Sequence, residues 1–119
     1  MSLVFYNFVI INLIMKYKYA KEKLTAAIYS MVTGIGPIRV RLFFAFQTFP
    51  RLSGDHFPDE LKDDWNFIHN NLTAKEPSYD GQGNVTEGRV QNTLQELGDV
   101  ECVEIATRMF ELYSKLQHL

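Results

Sequence analysis

Apolar side chains recur at spacings of three and four in separate stretches of the chain, and each stretch is bounded by residues that start or stop helices. That rhythm follows one face of an α-helix and is incompatible with a strand, whose apolar residues alternate. The first stripe is Tyr17, Ala20, Leu24, Ala27, Ile28 and Met31. TGIGP, with Gly34, Gly36 and Pro37, ends it and opens the next, since Gly accepts a left-handed C-terminal position and Pro suits a first helical turn. Ile38, Leu42, Ala45 and Phe49 form the second stripe, closed by Pro50. FPDELKDDWNFIHNNL reads as a third helix, capped near Asp55 or His56, with Leu61, Trp65, Ile68 and Leu72 facing inward. Residues 73–85 lack a period and read as a long mobile loop. Thr86 is placed to cap a fourth helix that runs to Leu97, and Gly98 stops it. Asp99 then caps a fifth, for which Val103, Ala106, Phe110 and Tyr113 with Ile105, Met109, Leu112 and Leu116 predict a wide buried face.

The expected fold is therefore all-α: a bundle of about five helices in one domain, residues 1–119, with a long N-terminal helix. A chain of this length buries roughly two-thirds of its unfolded surface, and 46% hydrophobic residues suffice for a core. The lone Cys102 excludes a disulfide within the chain and a cysteine-based zinc cluster, which suits a reducing compartment and makes the cytoplasm the expected location.

Residues 3–15, LVFYNFVIINLIM, carry no charge, and Lys16, Lys18, Lys21 and Lys23 follow them. Crossing a bilayer takes about 20 apolar residues, so this run predicts no transmembrane span. A signal peptide would put its cations first. As one helix, residues 3–32 would reach about 45 Å, whereas a compact domain of this size is about 35 Å across, so the end must overhang. Asn7 and Asn12 lie roughly 140° apart around a helix, which leaves no broad polar face. The segment calls for cover on nearly every side. A second copy of the chain is the expected cover, with Leu3, Val4, Phe5, Phe8, Val9, Ile10, Ile11, Leu13 and Ile14 as the dimer interface. A dimer-paired strand over 3–14 is the other conformation open to it. Residues 1–15 thus form an apolar N-terminal extension; Met15-Lys16 also resembles a native start, in which case part of that extension is foreign to the working protein.

Residues 1–41 hold six Lys or Arg against Glu22 alone, and residues 42–119 hold six against thirteen acids, so the halves carry +5 and −7. This asymmetry favours self-association and weighs against nucleic acid as a partner.

No motif specifies a cofactor or metal. KYKYAKEK alternates cations with aromatics as a single-strand nucleic-acid surface does, yet Tyr17 belongs to the inward stripe, so a solvated cationic face is expected. TGIGPIR has Arg39 where a dinucleotide loop needs a third Gly. Asp55, His56, Asp59, Glu60, Asp63 and Asp64 crowd a helix start, where the dipole favours acids without any metal. DGQGNVTEGRVQ begins like a calcium loop, but Val85 and Gln91 stand where Gly and Glu are required. Cys102 has no neighbouring residues that would activate it toward His56, His69 or His118.

RLSGDH spaces Arg51 and His56 as R-x4-H, which is similar to the motif of the HEPN family of dimeric helical ribonucleases. The resemblance covers six residues and implies a pair that polarises a phosphate and moves a proton. Leu52 departs from that pattern, because the family tends to be polar there. The leading expectation is a non-enzymatic, homodimeric module that acts through protein contacts as an accessory or regulator, with no catalytic residue. A ribonuclease using Arg51 and His56 is the alternative, and a protein held at a membrane surface by residues 3–15 is the third.

Overall fold

The computed structural model describes residues 2–119, apart from the side chain of Leu13. It is all-α, about 70% helical, and begins with a long helical run from Leu3 to residue 33. This run consists of α1 (Leu3–Lys16) and α2 (Lys18–Thr33), interrupted only at Tyr17. Ser2 caps it, its hydroxyl accepting from the Phe5 N–H at 3.2 Å. Residues 3–14 are thus helical, and the strand alternative falls. Strands need a neighbouring ladder, whereas a helix satisfies its own backbone groups.

α2 presents Ala20, Leu24, Ala27 and Met31 to the core, and the alanines let α3 (Ile38–Phe46) and α6 (Asp99–Gln117) approach closely. α4 (Lys62–Leu72) covers another side of α6, and α5 (Arg89–Glu96) lies against α3 and α4. Around Trp65 of α4 the ring of Phe57 stacks at 5.2 Å and that of Phe49 meets it edge-on at 5.7 Å. This aromatic knot anchors the loop that leads from α3 to α4.

The α2–α3 turn uses its glycines differently from the expectation. Gly34 caps α2 with extended backbone, and it is required by space: a Cβ there would stand 2.7 Å from the Ser30 carbonyl oxygen. Gly36 is the left-handed residue, with φ 103°. Pro37 is the N-cap of α3 rather than a residue of its first turn.

Four further boundaries differ from the sequence reading. The third helix opens as a 3-10 turn over Asp59–Leu61 before α4 begins. Residues 73–85 do not form one continuous loop, because β1 (Ser78–Tyr79) pairs antiparallel with β2 (Val85–Glu87). Thr86 lies in β2, and Gly88 is the N-cap of α5. At α6 the N-cap is Gly98, whose N–H donates to Glu101 Oε2 at 2.8 Å.

One expectation about burial is corrected. Cys102, Ile105, Met109, Leu112 and Leu116 form the buried face of α6, while Val103 and Phe110 are 50% and 54% exposed. Each sits one residue from a core position, hence about 100° around the helix and beyond the reach of α2, α3 and α4.

Candidate functional site

The largest exposed apolar feature of the chain is α1. Leu3, Val4 and Phe8 are 74%, 79% and 62% exposed, and Phe5, Val9, Ile10, Ile11 and Ile14 also count among the exposed large apolar residues. The side chain of Leu13, expected in the same interface, lies outside the described residues. Tyr6 and Met15 are exposed as well and extend the surface that the sequence marked out. α1 runs on into α2 across Tyr17 and projects from the bundle, and the molecule measures 61 Å along its long axis against 33 and 23 Å across. Near the root of α1, Ile14 shares a shallow cavity with Tyr17, Lys21 and Leu119. None of the described helices is long and apolar enough to cross a membrane.

Of the lysines at and after the end of α1, Lys16 and Lys18 are exposed and Lys21 and Lys23 half-buried, and their aromatic neighbours are already engaged. Lys16 Nζ lies 5.6 Å from the ring centre of Tyr17, and Lys23 Nζ lies 5.4 Å from that of Tyr19. Lys18 faces Glu22 at 3.7 Å. Tyr19 packs on the core and against His56, with ring centres 4.8 Å apart.

His56 therefore has structural partners on two sides. Its Nδ1 accepts the Ser53 N–H at 3.0 Å, closing the short 3-10 turn Gly54–His56. Arg51 is exposed, and among the described residues no hydrogen bond or ion pair ties it to His56. Leu52, the position that departs from the R-x4-H pattern, is buried and pins the loop to the core.

Two carboxylates of the acidic cluster are taken up in separate ion pairs. Asp59 meets Lys62 at 2.9 Å, and the hydrogen bond from that ammonium holds the Asp59 carboxyl below the usual carboxylate range. Asp64 instead faces α6, accepting from Lys115 at 2.9 Å with Arg108 at 3.5 Å. Arg108 also sits 4.2 Å from the ring centre of Phe67. Cys102 is fully buried, and burial pushes its thiol pKa up, the opposite of what a nucleophile requires.

One feature escaped the sequence reading. Between α3 and α5 lie two adjoining cavities of about 230 and 380 Å³, which share Phe43 and Gln91 as a common wall. Phe44 and Val40 open onto the first. Nothing in the sequence marks it, because the groove arises from the distance between two helices.

No protein-family model, curated protein or solved structure matches the chain.

Proposed function

We propose that this chain is a small accessory or regulatory module that works through protein contacts, as a homodimer joined through α1. The observation that carries the reading is the exposure of ten large apolar side chains along one fourteen-residue helix. Together they leave on the order of 700 Å² of apolar surface in water, more than soluble monomers tolerate and close to the ~800 Å² that each partner gives to a standard interface. The opposed charges of the two sequence halves, +5 and −7, favour bringing one copy against another. The chain then presents surfaces in pairs and needs no bound cofactor.

Light scattering on the purified full chain tests this. A mass of two chains at micromolar concentration, falling to one chain in Phe8→Asp, is the expected result. A stable monomer in buffer refutes the reading. Solubility only in detergent, or flotation of the full chain with lipid vesicles, refutes it in favour of a membrane-surface role.

A further inference from the structure

We propose that α1 of one copy seats in the α3/α5 groove of a second copy, each chain lending its helix to the other. This assignment rests on the dimer reading above and adds the surface that receives α1.

The reasoning begins with what α1 must have. Its apolar side chains point in nearly every direction, so a helix of the same kind laid alongside would cover one face and leave the rest in water. A concave site covers more. The groove between α3 and α5 is such a site, with walls from Val40, Phe43, Phe44 and Leu94, glutamines along its edge and Arg39 at one end. An uncharged helix can enter without stripping water from an ion, and the amide of Asn12, on the same face of α1 as Phe5 and Phe8, can meet those of Gln91 and Gln95 at the rim. Arg39 does not oppose this, because its guanidinium is already engaged by the carbonyls of Leu94 and Leu97.

Length agrees as well. From Arg39 to Gln47 the groove follows about 12 Å of helix, which accepts two to three turns of α1 and so two or three anchors at i, i+3 or i+4 spacing. Phe5 and Phe8 supply large rings at that spacing. Charge fixes the direction. Asp99 stands 3.9 Å from Arg39, at that end of the groove, with its side chain 82% exposed. Lys16, the last residue of α1, belongs at that end.

The exchange must take place between copies. α1 precedes α2 in one helical run broken only at Tyr17 and points away from the bundle, so it cannot fold back onto the groove of its own chain. Two chains crossing in this way bury two helices and two grooves about a twofold axis, which closes the assembly.

Cross-linking between variants of the full chain that each carry one added cysteine tests the assignment, because the native Cys102 is buried and does not compete. Full chains carrying Phe8→Cys and Phe44→Cys are mixed and treated with a short bis-maleimide. The expected product is the mixed dimer, at least about 10-fold in excess over either self-linked dimer. In parallel, Phe44→Asp, with Val40→Asp as a second variant, should weaken dimerisation by at least about 100-fold while the helical circular dichroism is kept. Self-linked Phe8→Cys alone, with Phe44→Asp and Val40→Asp still dimeric, overturns the groove and leaves the dimer standing. A monomeric full chain overturns both.

Discussion

Arg39 Nε donates to the carbonyl of Leu94 over 2.6 Å, and its Nη2 donates to the carbonyl of Leu97, so one side chain of α3 holds the C-terminal end of α5. The last carbonyls of a helix have no partner within it and carry the negative end of its dipole. A guanidinium supplies both donors and the matching charge.

Arg39→Ala should therefore destabilise the fold by about 2 kcal/mol, allowing for the partial solvation of the side chain. Arg39→Lys should recover less than half, since an ammonium cannot reach both carbonyls with a planar fork. Urea unfolding followed by circular dichroism measures both. A change below about 0.5 kcal/mol for Arg39→Ala would show that α5 is held by its apolar face alone.

The N-terminal helix adds no described residue to the buried core, and on the proposed reading its part is in assembly. A chain starting at Met15 should unfold cooperatively with a midpoint that does not depend on protein concentration. The full chain should show a midpoint that rises with concentration, as required when the folded state is stabilised by self-association. Thermal melts at two concentrations tenfold apart decide it; identical midpoints for the full chain would contradict the dimer.

The loop of Arg51 and His56 is read as a structural turn. His56→Ala removes the acceptor of the Ser53 N–H and should cost about 1 kcal/mol. Arg51→Ala should stay within about 0.5 kcal/mol, as exposed positions do. Incubation of the purified protein with RNA supplies the contrary result: metal-independent cleavage lost in either variant, with the fold intact, would make the pair catalytic.

Much of this architecture can be read from the chain, and the parts that cannot share a cause. Ala20, Leu24, Ala27 and Met31, or Leu61, Trp65, Ile68 and Leu72, announce their helices because each stripe reports one element's own periodicity. Val103 and Phe110 read as buried in the sequence yet are exposed, because a wide apolar face does not say how much of it a neighbour covers. Thr86 has a capping residue's chemistry, yet pairing of Val85–Glu87 with Ser78–Tyr79 takes it into a strand and leaves the cap to Gly88. The groove beside Phe43 depends on the spacing between α3 and α5, and no local pattern encodes that distance.

Burial should govern the chemistry of Cys102. With its thiol pKa raised in the folded chain, the unfolded chain gives up the proton first as pH rises, so this residue's contribution is intact below about pH 8.5 and is lost above it. In native protein at pH 8 the reaction with an aromatic disulfide reagent should be at least about 100-fold slower than in denaturant. Equal rates would mean that the α6 face opens readily.

The hairpin offers the clearest dependence on acid. Asp80 Oδ1 accepts the N–H of Gln82 at 2.8 Å and that of Asn84 at 2.9 Å, and these backbone hydrogen bonds, Asn84's first, hold its carboxyl below the usual carboxylate range. A carboxyl whose pKa is lowered by folding stabilises the folded form above its unfolded pKa, near 4, and that contribution is lost as pH falls through the lower folded value. The turn over residues 80–84 should therefore loosen below about pH 4, while the helices, which do not depend on this group, persist. Asp80→Asn keeps an acceptor oxygen but no charge, so it should weaken the turn at neutral pH and remove the acid transition. Amide chemical shifts of Gln82 and Asn84 followed from pH 7 to pH 2 report both. If those shifts titrate identically in the wild type and in Asp80→Asn, the carboxylate is not what holds the hairpin.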